Sequence, residues 1–131
     1  GGSDTPEKAF ERIADAERID DRLAQAADAG NPVILDFYAD WCISCKVMER
    51  QVFDTRPVLK AMADFERIQV DVTANTEADQ ALLDRFGLFG PPTLLFFNAQ
   101  GEELEQARIL GEMDQQAFLE HLERVRDRIG S

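Results

Sequence analysis

Apolar positions recur along this chain with two different periods, and the switches between them mark out the elements. From residue 15 to 29, Ile19, Leu23, Ala26 and Ala27 return at helical spacing, and Gly30-Asn31-Pro32 stops the helix. Val33 to Ala39 is an apolar, branched and aromatic run broken only by Asp36, which predicts a buried strand. Asp40-Trp41-Cys42 follows at once, and a second helical pattern places Cys45, Met48 and Val52 on one face. Pro57 opens a short helix through Ala63. Ile68, Val70 and Val72 then alternate with Arg67, Gln69 and Asp71, as in a half-buried strand. Ala78, Leu82, Leu83 and Phe86 predict a helix that Gly87 ends, and Pro91-Pro92 leads into the strand Thr93 to Phe97. Asn98 to Gly101 is a turn, so Leu104 to Leu110 is expected to return as an antiparallel partner. A last helix starts at Asp114, with Phe118, Leu122, Val125 and Ile129 on its inner face.

Strands alternating with helices and closed by a hairpin predict an α/β fold with a mixed sheet between helices. At 131 residues and 44% hydrophobic, the chain can bury one core without staples or metals. No repeat, low-complexity tract or linker divides it, and one packed unit is expected from about Phe10 to Ile129. Gly1-Gly2-Ser3 is neither signal peptide nor anchor and is expected to be the remnant of a cloning or cleavage step, with residues 4–131 forming a domain excised from something longer. No apolar run approaches the ~18 residues of a membrane span, so the domain itself is expected to be soluble.

Charge narrows the range of partners. With 26 acidic and 14 basic residues the formal charge is -12, which repels phosphate backbones and anionic lipid surfaces and argues against nucleic acid as a partner. Such a charge either solvates the surface or steers the chain toward basic patches on a partner protein.

The chemistry rests on two cysteines. Cys42-Ile43-Ser44-Cys45 lies where a strand ends and a helix begins, and a spacing of three puts both sulfurs on one side. A disulfide between them closes so small a loop that it hardly restricts the unfolded chain, which argues against a structural staple. At the helix N-terminus, free N–H groups favour a thiolate at Cys42, which makes it the candidate nucleophile, reachable from outside. Cys45, one turn inside, is placed to resolve a mixed disulfide. The competing readings are half of a zinc site and two inert buried thiols. A zinc site needs about four ligands, and the chain offers only His121 besides the two cysteines as thiolate or imidazole. No metal is therefore expected. Asp36 interrupts a buried strand, where an isolated charge is costly and tends to hold a proton, unless it leans to solvent from the strand end. Glu49, seven positions after Cys42, returns beneath the sulfurs if the helix runs two regular turns; otherwise it is a surface residue beside Arg50.

The stretch from Leu35 to Lys46 resembles the active-site segment of the thioredoxin superfamily. More narrowly, Tyr38-Ala39-Asp40-Trp41-Cys42 with Glu49, Asp71 to Asn75, and Gly90-Pro91-Pro92-Thr93 through Phe97 resemble the C-terminal periplasmic domains of the DsbD thiol:disulfide interchange family. The resemblance covers roughly Phe10 to Val125. It implies a thioredoxin-like fold with an N-terminal extension. It also implies protein-disulfide reductase activity without a diffusible cofactor: electrons come from the cysteine pair of a membrane-embedded partner domain and pass to that of an N-terminal periplasmic domain. The implied setting is the periplasm, with the domain a monomer tethered to the membrane through the full-length chain.

Residue by residue, Asp36 matches the buried aspartate that moves the proton of the resolving cysteine, and Pro92 matches the cis-proline that faces the sulfurs. If Asp36 and Glu49 are both charged nearby, they disfavour a neighbouring thiolate, so Cys42 is expected to stay protonated until a partner docks. Pro91 has no N–H to offer a bound peptide. Trp41, Ile43, Phe89, Pro91 and the backbone at Gly111 would border the sulfurs as an apolar substrate-binding rim, although Ile43 and Phe89 could equally be core. Two rival readings are a free-standing reductant, for example in cytochrome c maturation, and a redox-inactive interaction module.

Overall fold

The computed structural model describes residues 8–130, so the expectation for residues 1–3 lies outside it. In chain order the elements are β1 (Glu11–Ile13), α1 (Ile19–Asp28), β2 (Val33–Tyr38), α2 (Ile43–Met48), α3 (Arg56–Ala61), β3 (Glu66–Asp71), α4 (Glu77–Phe86), β4 (Thr93–Phe97), β5 (Ile109–Leu110) and α5 (Gln115–Gly130). The five strands form one sheet in the order β1-β3-β2-β4-β5. β1, β3 and β2 run parallel, and β4 and β5 are antiparallel to their neighbours. The mixed sheet, flanked by helices, is the one the alternating pattern predicts.

Strand pleating sorts the core into two halves. Leu35 and Phe37 of β2, Ile68 and Val70 of β3 and Leu95 and Phe97 of β4 point to one face, where Ile19 and Ala26 of α1 and Leu82 and Leu83 of α4 cover them. Ile34, Leu94 and Phe96 point to the other, beneath Met48, Val58, Phe118, Leu122 and Val125. β2 lies at the centre of both halves and is buried along its whole length. The helix ends follow local chemistry. Thr76 and Asp79 close a capping box at the start of α4, and Gly87 takes a left-handed φ of 70° at its end.

Four features depart from the sequence pattern. β1 was not visible in it, because three residues pairing with β3 are too few to show a period. Gln69 faces the interior rather than solvent, since β1 and β2 enclose β3 on both sides and the far face is covered. The second helix is regular only to Met48. A π-type turn over Glu49–Phe53 follows and brings Phe53 inward, edge-on to Phe10 at 5.0 Å and to Phe118 at 5.5 Å. The returning hairpin strand is interrupted as well: Glu103 bridges to Phe97, a 3-10 turn over Glu105–Ala107 intervenes, and only Ile109–Leu110 resumes pairing. His121 Nε2 lies 2.6 Å from the Ala107 carbonyl oxygen and ties that turn to α5.

Among the described residues, no helix is long and apolar enough to cross a membrane. Phe118 is fully buried at the centre of the second half-core. Phe118→Ala is expected to destabilise the domain by about 3–5 kcal/mol in urea unfolding, with an unchanged slope; a loss below ~1 kcal/mol would contradict the packing described.

Candidate redox site

The site is built where β2 ends. The strand delivers the chain to Ala39, the Cys42 N–H donates to the Ala39 carbonyl oxygen at 3.0 Å, and α2 begins one residue later. Cys42 is the N-cap: its sulfur accepts from the Cys45 N–H at 3.1 Å, in the place where a Ser or Asp oxygen ordinarily sits. The two sulfurs are joined as a disulfide, with Cα atoms 5.3 Å apart. An anionic sulfur at position 42 would meet the unpaired N–H groups of the helix start, the standard means of lowering a thiol pKa.

The expected contrast in exposure between the sulfurs is absent. Cys42 and Cys45 are 7% and 6% exposed, because Cys42 folds back over its own helix turn as a cap. Their difference is one of setting. Cys45 Sγ lies 4.0 Å from the Phe37 carbonyl oxygen, against the central strand, while Cys42 sits between the exposed side chains of Trp41 and Ile43.

Two exposed apolar side chains, Trp41 and Ile43, flank Cys42 in the chain. Trp41, Ile43, Phe89 and Leu110 are the large hydrophobic residues left exposed among those described, so Ile43 and Phe89 are not core. Thr73 braces the loop before the pair: its hydroxyl accepts from the Asp40 N–H at 2.8 Å, and its carbonyl accepts from Trp41 Nε1 at 3.2 Å. Pro92 is cis and half-buried, its carbonyl occupied by the Gly111 N–H at 3.0 Å. That contact brings together Pro91, Pro92 and Gly111, which the sequence placed on the rim. The exposure of Leu110, next to Gly111 at the end of the short β5, was not anticipated.

Asp36 and Glu49 bracket the pair along the chain, one in β2 and the other just past α2. Asp36 is buried, and its Oδ2 accepts from Gln69 Nε2 at 2.7 Å. Burial pushes its pKa up to about 7; the Gln69 hydrogen bond opposes the rise, the Glu49 charge adds to it, and the Arg12 charge opposes it. Glu49 stands at the end of α2, half-exposed, with one oxygen 4.0 Å from the Arg12 guanidinium. The π-type turn aims it at an open groove lined by Arg12, Phe53, Asp54 and Gln69. The structure brings the Glu49 charge to bear on Asp36 and adds Gln69 and Arg12, which the pattern did not single out. Gln69 was legible only as a polar residue on an apolar strand; its partner depends on strand register. The Tyr38 hydroxyl donates to Asp40 at 2.9 Å and accepts from Lys46 Nζ at 3.1 Å, which holds the Lys46 pKa up. Among the described residues no group of three or more His, Cys, Asp or Glu could hold a metal ion.

Comparison with known proteins agrees with this geometry. A family model described as Thioredoxin-like matches residues 15–99. The thiol:disulfide interchange protein DsbD of Cronobacter sakazakii is 48% identical over 114 residues, covering 87% of this chain and 20% of that protein. The chain therefore spans about a fifth of the length of the curated relatives it matches. Among solved structures, the oxidised DsbD C-terminal domain of Neisseria meningitidis superposes with a TM-score of 0.76 at 38% identity, covering 87% of this chain and 98% of that one. A thioredoxin from Thermus thermophilus gives 0.73 at 25% identity, with 93% and 91% covered.

The raised pKa of Asp36 makes stability depend on pH. In the unfolded chain its carboxyl ionises near 3.8, in the fold near 7, so between these values the folded state holds a proton that the unfolded state has released. Stability then falls as pH rises through this window and levels off above it, by at most about 1.4 kcal/mol per pH unit. Asp36→Asn removes the titrating group. Its unfolding free energy relative to wild type is expected to rise from pH 4.5 to pH 8 and then flatten; a constant difference across that range would contradict the assignment.

Proposed function

The chain belongs to the thioredoxin-like family, alongside the C-terminal domains of DsbD thiol:disulfide interchange proteins, and has thiol–disulfide oxidoreductase chemistry; from that premise we propose that it works as a protein-disulfide reductase. The observation that carries the reading is the Cys42–Cys45 disulfide at a helix start, with the exposed side chains of Trp41 and Ile43 on either side of Cys42 in the chain.

In the reduced form, the Cys42 thiolate attacks a partner disulfide and releases one partner thiolate, leaving a mixed disulfide. Cys45 then loses its proton and attacks Cys42 Sγ, which expels the second partner thiolate and closes the Cys42–Cys45 bond. Two electrons pass to the partner. A second dithiol must reverse these steps on this domain before the next cycle. By analogy with its relatives, that donor is a membrane-embedded domain of the same longer protein, the acceptor is an N-terminal domain, and the setting is the periplasm.

Asp36 is the group assigned to the Cys45 proton. It is buried on the strand that feeds the pair and can take up or release a proton near neutrality. Charged Asp36 and Glu49 oppose a thiolate, so the free domain holds Cys42 in its less reactive form until a partner covers the site and changes that balance. Trp41, Ile43 and Phe89 supply the apolar contact a transient partner needs, and the Pro91 backbone offers only its carbonyl as a hydrogen-bond group.

Two measurements test this. Cys45→Ser is expected to accumulate a mixed disulfide through Cys42 when mixed with an oxidised protein substrate, visible by mass spectrometry. Cys42→Ser is expected to form none and to lose at least ~100-fold in dithiothreitol-driven insulin reduction, a loss no smaller than the ~10²-fold that one missing oxyanion-hole donor costs an acyl-transfer enzyme. Trapping through Cys45 instead, or a wild type that does not accelerate insulin reduction, would sink the mechanism. Equilibration against glutathione tests the direction, since each ~30 mV corresponds to ~1.4 kcal/mol; a pair less reducing than glutathione would contradict a reductase.

A further inference from the structure

Parallel pairing places three polar residues in one row across the sheet. Arg12 of β1 is opposite Gln69 of β3, and Gln69 is opposite Asp36 of β2. Their neighbours Ile13, Ile68, Val70, Leu35 and Phe37 all belong to the first half-core, so pleating sends the three side chains together to the other face. The row is bonded end to end: Arg12 Nε donates to Gln69 Oε1 at 2.7 Å, and Gln69 Nε2 donates to Asp36 Oδ2 at 2.7 Å. Beyond Asp36 the row continues with Leu94, which is apolar.

We infer that Arg12 and Gln69 are positioning residues for Asp36: Arg12 locks the Gln69 amide with its NH2 toward the carboxylate, and so governs how readily Asp36 gives up its proton. The reason lies in the hydrogen-bonding inventory. A guanidinium only donates, so the amide must turn its oxygen to Arg12, which leaves only its NH2 for Asp36. A donor aimed at a carboxyl favours the ionised form. Without Arg12 the amide is free to flip, and its oxygen would then accept from a protonated Asp36 and favour the neutral form. Both the lost charge and the lost orientation act in the same direction.

Arg12 is itself held in place. Its guanidinium carbon lies 4.1 Å from the Tyr38 ring centroid, and a terminal nitrogen is 4.0 Å from Glu49. One cation thus reaches Glu49 directly and Asp36 through the amide. Other charged groups share this side: Lys8, Glu11, Arg22, Arg56, Glu66 and Arg67 line the same groove, and Lys46 reaches the Tyr38 hydroxyl. The π-type turn presents Glu49, with Asp54 just beyond it, where the Glu49 charge and burial hold the Asp54 pKa up. α5 presents Phe118 and Leu122, and its His121 is engaged by the Ala107 carbonyl. Arg12 is the cation in hydrogen-bonded series with Asp36.

The inference deepens the proposed role of Asp36 and rests on that reading, so the experiment separates the two. The Asp36 carboxyl carbon is followed by NMR through a pH titration of the whole oxidised domain, in wild type, Arg12→Met, Arg12→Lys and Gln69→Leu. Arg12→Met keeps an apolar stem against Tyr38 but removes donor and charge. It is expected to raise the Asp36 midpoint by roughly half a pH unit, less than the ~1–3 units of a direct ion pair because the charge acts across an amide. Gln69→Leu is expected to raise it too, while Arg12→Lys, still a cation that only donates, restores most of the wild-type value. A midpoint unmoved or lowered in Arg12→Met, even with reduced thermal stability, overturns the inference, because a merely structural arginine would change stability alone. The pH profile of Cys42 alkylation in the same reduced variants reports on the underlying reading. If the Asp36 midpoint moves as expected and the alkylation profile does not follow, the positioning role stands and the proton-carrying role of Asp36 falls.

Discussion

Everything at this site depends on β2 being enclosed. The strand is hydrogen-bonded to β3 on one side and β4 on the other, and its six residues are buried against helices above and below. A strand so confined can end only at the sheet edge, and the chain that leaves it must turn at once into α2 to cover the apolar face it has just built. The sulfurs sit at that turn because the turn is where backbone N–H groups have no helical acceptor and a side chain can take them. The same enclosure turns Asp36, an ordinary carboxyl elsewhere, into a group that exchanges its proton near neutrality.

β2 leads to both parts of the site. Its C-terminal end delivers the chain to a disulfide that is almost covered, with the exposed side chains of Trp41 and Ile43 on either side of Cys42 in the chain. Its middle carries Asp36, and the row Arg12, Gln69 and Asp36 runs to the groove where Glu49 stands. The overall charge of -12 sets the few exposed large apolar side chains against a surface that otherwise stays hydrated.

Most of the fold could be read from periodicity, and the reasons for the exceptions are physical. Long or strongly apolar elements such as β2, β4 and α5 carry enough positions to reveal a period. β1 does not, and the interrupted return through Glu105–Ala107 is decided by tertiary contact with His121 rather than by local preference. The cysteines, Pro92 and Asp36 were legible because each breaks a pattern where chemistry would require it. Gln69 and Arg12 were not, because their importance lies in register, and three parallel strands distant in sequence leave no local mark of who faces whom. The exposure of Cys42 was misjudged for a related reason: a capping sulfur turns back over its own helix instead of outward.

The disulfide joins two residues of a single helical turn and links no separate elements of the fold. Opening it therefore leaves the strand pairing and both half-cores as they are, and the domain can be loaded and unloaded without rearrangement of its scaffold. A carrier built this way has no slow shape change to wait for. Donor and acceptor alike then meet one unchanging framework, whichever oxidation level the pair happens to hold.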